Sequence, residues 1–196
     1  MKISLTESES KLVKLCKQGD AKAQYKLYKL YSKVMYNIAV RMTGDQSTAE
    51  DIIQDSFIKA FSEIDKLQNE KAFGGWLKRI VINRCIDIIR KKRVVFTDME
   101  NISVKHLELV DNVDDAVNPE IVHRFIKQLP EGARQILVMR ALEGYKHAEV
   151  AEKFGISEST AKTQFFRAKQ LLAKMIKEEV DETGLGEIFE GESVKA

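Results

Sequence analysis

Apolar residues recur every three or four positions along most of the chain, a spacing that places them on one face of an α-helix. Capping residues and glycines divide the first half of this pattern into four predicted helices. A capping box at Thr6–Glu9 opens the first, Asp20 and Gly44 bound the second, a second capping box at Ser47–Glu50 opens the third, and the fourth follows a break at Gly74–Gly75. The apolar side of the second helix is predicted to contain Leu27, Leu30, Val34, Ile38 and Met42.

The helical spacing returns in the second half, after a stretch without a sustained period. Pro119 and Pro130 each suit the first turn of a helix, where a missing backbone N–H leaves no bond unmade. Helices are predicted at residues 119–129, from 130 to about 144, at 146–154 and from 158 to about 179. The pattern therefore predicts an all-α fold.

The formal net charge of +2 conceals a strong segregation of charged residues along the chain. Residues 76–93 are strongly basic, residues 97–120 are strongly acidic, and residues 159–177 carry five cations and no acid. Two basic patches separated by an acidic segment indicate two contacts with a polyanion. Because its acids would be repelled by DNA, the acidic segment is not expected to be a third contact.

Together, periodicity and charge predict two small helical domains joined by a tether. We expect the domains at residues 1–93 and 119–179, an acidic linker at 94–118 and a weakly structured acidic tail at 180–196. Fully extended, the linker could span roughly 80–90 Å, more than the roughly 70 Å of two turns of DNA.

Several classes of function find no support in the sequence. It has no run of about 18 apolar residues that would predict a membrane span, and its first residues lack a secretory apolar core. Cys16 and Cys85 form no metal or redox motif, and we expect ordinary core thiols in a reducing cytoplasm. We find no phosphate-cradling glycine loop, no metal-spaced cluster and no nucleophile–base pair, so we expect neither a cofactor nor an enzyme.

A helix-turn-helix is predicted between residues 147 and 169. Ala151 is the small residue where two helices can cross, Gly155 suits the turn, and Ser157 can cap the second helix. Polar, basic and aromatic residues then face away from the apolar lock, as in a recognition helix, although a hairpin with a solvated basic face has the same pattern. The outward residues are Ser159, Thr160, Lys162, Thr163, Phe166, Arg167 and Lys169.

The basic segment before the linker combines aromatic rings with cations. Such a combination can stack bases along a phosphate track, which suits single-stranded DNA, although for either ring alone core packing is slightly favoured. An amide at Asn83 on the basic face could hydrogen-bond a base. The candidate DNA contacts are Phe73, Trp76, Lys78, Arg79, Asn83, Arg84 and Arg90.

The third predicted helix has a polar face that includes one apolar residue. Asp51, Gln54 and Asp55 share this face with Ile58, and an exposed isoleucine among acids suggests a partner surface. The residues alone leave a solvated face and a docking face equally open.

Taken together, residues 49–61, 73–90 and 157–172 resemble the extracytoplasmic-function sigma factors of bacterial RNA polymerase. The resemblance implies that Asp51, Gln54, Asp55 and Phe57 help to grip the clamp of the large polymerase subunit. It also implies that residues 73–90 melt and hold the promoter element nearest the start site, and that residues 158–174 recognise the upstream element. Ala161 and Gln164 stand where many members have valine and arginine, which puts one upstream phosphate contact in doubt.

The expected function is that of a sigma factor, whose partners are core RNA polymerase, promoter DNA and an anti-sigma factor, without insertion into a membrane. Two other classes stay open on the residues alone. A duplex-binding regulator that acts without polymerase would leave the segments at 49–61 and 73–93 without a task. A module that binds an acidic protein would use the basic helices without DNA.

Overall fold

The computed structural model describes residues 7–91 and 119–183, with side chains described for residues 8–91 and 122–179. Within these ranges the regular elements are all helical, which confirms the all-α prediction. The chain divides into two compact units, residues 1–94 and 95–196. The predicted acidic linker lies wholly outside the described residues, as does most of the predicted tail, so both stay predictions.

The first unit is built from helices joined by short turns. Asp20 caps the second helix by accepting hydrogen bonds from the backbone N–H groups of Lys22 and Ala23, and Gly44 ends it in a left-handed conformation. Both ends agree with the sequence prediction. The helices are α1 (Glu7–Lys17), α2 (Ala21–Thr43), α3 (Gln46–Ser62) and α4 (Phe73–Lys91), with 3₁₀ turns at Ile64–Lys66 and Glu70–Ala72 before α4.

The core of the first unit lies where α2 packs against α1, α3 and α4. Leu27, Ile38 and Met42 of α2 are buried as predicted, but Leu30 is 47% exposed. Leu30 lies about 100° around the helix from the side that meets α3 and α4, and Tyr31 and Met35 occupy the core instead. The prediction for Leu30 was therefore wrong.

Two predicted helix boundaries also differ from the structure. The helix α3 begins at Gln46 rather than after Ser47, because the Asp45 side chain accepts the backbone N–H of Thr48 at 2.7 Å. Gly74–Gly75 does not break the chain, because the 3₁₀ turn capped by Asn69 runs directly into α4. Both glycines therefore lie in the first turn of α4.

The second unit is also helical throughout its described part. Arg134 is buried, and its guanidinium donates hydrogen bonds to the carbonyls of Lys127 and Leu129 at 3.1 and 3.4 Å, which satisfies the end of the preceding helix. Gly144, with φ +81°, follows a π-helical turn. The elements are α5 (Pro119–Gln128), α6 (Glu131–Leu137), the π turn (Val138–Leu142), α7 (His147–Phe154) and α8 (Glu158–Thr183).

Both cysteines are buried free thiols, as predicted for core residues. Burial, with a smaller contribution from Asp20, raises the pKa of the Cys16 thiol to about 11, so that it stays protonated and unreactive near neutral pH. No group of side chains in residues 8–91 and 122–179 has the composition of a metal site. Among the described helices, none combines the length and apolar character needed to cross a membrane.

Candidate nucleic-acid and docking interfaces

The turn between α7 and α8 has the geometry of a helix-turn-helix. Gly155 ends α7 with φ 67° and ψ 34°, and the N–H of Ile156 donates to the Ala151 carbonyl at 3.0 Å. The Ser157 hydroxyl accepts the backbone N–H of Thr160 at 3.0 Å and so caps α8. The turn glycine and the cap are therefore where the sequence predicts them.

Apolar side chains lock these two helices together. Val150, Ala151 and Phe154 of α7 are buried, and so is Ala161 of α8. Gln164 is also buried, so its side chain is not available to contact DNA phosphate. Gln164 stands where many members of the resembled family have arginine. Because Gln164 is buried, this difference affects the interior of the hairpin.

The opposite side of α8 is polar, and we call it the reading face. Thr160 and Arg167 are half-buried on this face, and its other residues are exposed. Phe166 is 47% exposed and lies among cations on this face. Lys162 pairs with Glu158 at 2.8 Å, whereas Lys169 makes no ion pair with another described residue. The Ser157 hydroxyl also contacts the hydroxyls of Ser159 and Thr160 at 2.8 and 2.7 Å. The reading face consists of Ser159, Thr160, Lys162, Thr163, Phe166, Arg167 and Lys169.

His147, which the sequence showed only as a lone histidine, packs against α8. Its ring meets Phe165 edge-on at 5.3 Å between centroids, and the Arg140 guanidinium lies 6.0 Å from the centre of the Phe165 ring. Burial first, and then the charges of Arg140 and Lys162, lower the pKa of His147. The shift favours the neutral form of the imidazole at the start of α7.

The aromatic residues of α4 differ sharply in exposure. Phe73 is fully buried and packs edge-on against Tyr31 at 5.4 Å, so the prediction that it contacts DNA was wrong. Trp76 remains partly exposed, with its ring 6.1 Å from that of Phe73. Phe73 is therefore a core residue, and its ring packs against Trp76 from the inner side.

Most of the remaining α4 candidates lie on the outside of the helix, and we call that side the melting face. Arg79, Asn83 and Arg90 are exposed, while Lys78 and Arg84 are half-buried. Trp76, Arg79, Asn83 and Arg84 also line a groove of about 660 Å³ between α4 and α3. The melting face consists of Trp76, Arg79, Asn83, Arg84 and Arg90. Lys78 lies about 160° around α4 from Trp76, so the structure does not bring it to this face.

The outer side of α3 carries the predicted partner residues, and we call it the docking face. Asp51, Gln54 and Asp55 are exposed, and Ile58 is 69% exposed, the largest value among the exposed large hydrophobic side chains of the described residues. Such exposure of a branched apolar side chain suits a surface that becomes covered by a partner. The docking face consists of Asp51, Gln54, Asp55 and Ile58.

Phe57 does not belong to the docking face. It is only 3% exposed, and its ring packs against Tyr28 at 4.8 Å and Phe61 at 5.8 Å. The prediction that Phe57 contacts the polymerase was therefore wrong. Its burial instead fixes the rotation of α3, which turns Ile58 and the acids outward.

An ion pair that the sequence did not reveal joins the docking face to the melting face. The Arg84 Nη2 donates to the Asp55 Oδ2 at 2.5 Å, across the groove between α4 and α3. The two residues are 29 positions apart, so no local pattern connects them.

Comparison with known proteins agrees with this arrangement. A family model of sigma-70 region 2 matches residues 27–94, and one of sigma-70 region 4 matches residues 120–172. The ECF RNA polymerase sigma factor SigW of Bacillus subtilis is 31% identical over 180 residues, which cover 86% of this chain and 96% of that protein. The chain is an extracytoplasmic-function sigma factor.

Further relatives and solved structures also match this sigma factor over most of its length. The RNA polymerase sigma-H factor of Pseudomonas aeruginosa is 28% identical over 182 residues, covering 87% of this chain and 94% of that protein. The structure of CnrH with the cytosolic domain of CnrY matches at a TM-score of 0.49 and 19% identity, covering 87% and 98% of the two chains. A co-crystal structure of sigma factor RpoE with the anti-sigma factor NepR from Bartonella quintana matches at 0.49 and 18%, covering 78% and 96%.

Family membership decides between the classes that the residues alone left open. A sigma factor binds core RNA polymerase and directs it to initiate transcription at specific promoters. The sigma factor family is not in general a catalytic one. The region 2 and region 4 matches fall in the first and second units respectively.

Proposed function

We propose that the two units of this sigma factor divide promoter recognition between the reading face and the melting face. The observation that carries this assignment is that each unit presents one exposed helical side on which cations and a partly exposed aromatic ring occur together, at Phe166 and at Trp76. We further propose that residues 94–118 act as a tether that stays off the duplex, and that the protein acts in the cytoplasm.

The reading face suits duplex DNA. Hydroxyls at the start of α8 lie where a recognition helix approaches base edges, while Arg167 and Lys169 lie further along, where phosphates would be met. Ser159 and Thr160 already share hydrogen bonds with Ser157, which orients both hydroxyls before DNA arrives. Base discrimination would then come from the first two turns of α8, and affinity from the turns that follow.

The melting face suits an unpaired strand. The partly exposed Trp76 ring rests against the buried Phe73 ring, so it is a rigid platform on which a base can stack. Arg79 and Arg84 flank it along the groove and can neutralise the phosphates of the same strand. Capture of unstacked bases in this way offsets part of the free energy needed to open the duplex.

The docking face suits a basic surface of core polymerase. Exposed carboxylates at Asp51 and Asp55 surround an exposed apolar side chain, which is a charged rim around a small hydrophobic anchor. By the same chemistry, an anti-sigma factor that covers these faces would keep the protein from polymerase.

Two variants with opposite effects test the division of DNA binding. Trp76→Ala should weaken binding of a single-stranded promoter strand by about 1–3 kcal/mol and spare the upstream duplex. Arg167→Ala should weaken the upstream duplex by about 1–3 kcal/mol and spare the single strand. Fluorescence anisotropy on both probes measures this, and equal losses of each variant on both probes would refute the division.

A charge reversal tests the docking face. Asp51→Arg with Asp55→Arg should impair capture of core polymerase, because like charges would then meet across the interface. Unchanged urea unfolding of the first unit is the control for folding, because Asp51 and Asp55 belong to that unit. Normal co-purification of this double variant with core polymerase would exclude the docking face from that interface.

A further inference from the structure

The Arg84–Asp55 ion pair joins the two proposed binding surfaces of the first unit. Each residue is the counter-ion of a residue on the other surface. Arg84 belongs to the melting face and Asp55 to the docking face, and their side chains are 39% and 50% exposed. The contact is a direct hydrogen bond of 2.5 Å between guanidinium and carboxylate. In the free chain, therefore, neither group is fully available to a partner.

A purely structural role for this pair is weak. The helices α3 and α4 already pack against each other, and Ile52 and Leu77 contribute fully buried side chains to the core. An ion pair this exposed adds little to the stability of a packed interface, because water screens both charges. Asp87 and Lys59 line the same groove, and neither makes an ion pair with another described residue. Arg84 and Asp55 therefore pair with each other although Asp87 and Lys59 line the same groove.

We propose that the Arg84–Asp55 ion pair couples polymerase docking to capture of the melted strand. This inference rests on the proposed function, because it uses the docking and melting faces as assigned there. A basic polymerase surface that takes the Asp55 carboxylate releases Arg84, and a DNA phosphate that takes Arg84 releases Asp55. The first partner to bind breaks the pair, and the second finds its counter-ion already free.

Thermodynamic linkage makes this coupling reciprocal and fixes its size. Each partner raises the affinity of the other by the same factor, since both act on one equilibrium between the paired and unpaired states. The strength of an exposed ion pair limits the factor to about 1.5- to 5-fold. The device therefore biases the free chain away from single-stranded DNA until polymerase is bound, without abolishing either interaction.

Release of Arg84 is tested with the full chain and a fluorescein-labelled oligothymidylate at low salt. Asp55→Asn removes the charge and keeps the shape, so the free chain should bind this probe about 1.5- to 5-fold more tightly. In an Arg84→Gln background the same substitution should give no gain. Glu50→Gln removes one exposed negative charge from the same helix and controls for general repulsion.

Release of Asp55 is tested with core polymerase of the same organism in the absence of DNA. Arg84→Gln should raise the affinity of the full chain for core polymerase about 1.5- to 5-fold, a gain that a merely stabilising pair would not produce. In an Asp55→Asn background, Arg84→Gln should give no such gain.

Three outcomes overturn the coupling: no gain in either assay, a gain with Glu50→Gln equal to that with Asp55→Asn, or gains that persist when the partner residue is already replaced. Failure of the proposed function is seen separately, because the unsubstituted chain would then bind neither core polymerase nor the single strand. A chain that binds both but shows additive substitutions keeps its function and loses only the coupling.

Discussion

Replacing Lys169 with alanine tests whether its charge contacts a DNA phosphate. A phosphate contact depends on salt concentration, whereas a packing contact does not. Lys169 is exposed and makes no ion pair with another described residue, so its charge is available to a phosphate. Each phosphate neutralised on duplex DNA contributes about 0.9 to the slope of log affinity against log salt. Between roughly 50 and 200 mM salt, one such contact changes affinity by about 3.5-fold. The advantage of the unsubstituted chain over Lys169→Ala should therefore shrink by about 3.5-fold over this range.

The assay is fluorescence anisotropy with a duplex that carries the upstream element, titrated at several salt concentrations. Phe166→Ala on the same face removes apolar contact but no charge, so its loss of affinity should be the same at every salt concentration. Lys174→Ala is the matched charge control, because Lys174 pairs with Glu178 at 3.6 Å and lies about 140° around α8 from Lys169. It should leave the slope close to that of the unsubstituted chain.

Equal slopes for Lys169→Ala and the unsubstituted chain would refute this reasoning, because Lys169 would then contact no phosphate. A slope change with Lys174→Ala as large as that with Lys169→Ala would also refute it. The salt dependence would in that case reflect the total charge of α8 and not a defined face.

Three further predictions concern folding of the two units, each measured by urea or thermal unfolding. Gly155→Ala should destabilise the second unit by about 1 kcal/mol, because the φ of 67° at Gly155 strains any side chain. Gly75→Ala should instead stabilise the first unit by about 0.4–1 kcal/mol, since a side chain at this position of α4 meets open space. Changes of the same sign for both variants would contradict this prediction. Phe73→Ala should destabilise the first unit by about 3–5 kcal/mol, and a cost below about 1 kcal/mol would place the ring outside the core. Because the folded state lowers the pKa of His147 from 6.5, the second unit should lose stability as pH falls through 6.5, and His147→Gln should remove that loss.

Local chemistry explains why much of the fold could be predicted from the sequence. The cap at Asp20, the end of α2 at Gly44 and the turn at Gly155 each depend on residues within one helical turn, so the sequence alone determines them. The capping box at Ser47 failed because Asp45, two residues earlier, accepts the N–H of Thr48 and starts the helix before Ser47.

Residue positions around a helix were harder to predict than helix ends. Phe57 and Phe73 were expected at interfaces, but which side of α3 or α4 is buried depends on where Tyr28 and Tyr31 of α2 lie. The residues in each of these contacts are tens of positions apart in the sequence.

The same reason hid the Arg84–Asp55 pair, whose members lie on different helices. The predicted cations and acids of the candidate faces were otherwise exposed or half-exposed, because charged side chains are seldom buried whatever the packing.

Run-off transcription with purified core polymerase tests the central assignment most directly. The template should be a promoter of this protein's own organism that is silent with core polymerase alone. Addition of the full chain should give one transcript with a defined start, and a variant that combines Trp76→Ala with Arg167→Ala should give little or none. Equal transcript from the unsubstituted chain and this variant, or no transcript from either, would contradict the account.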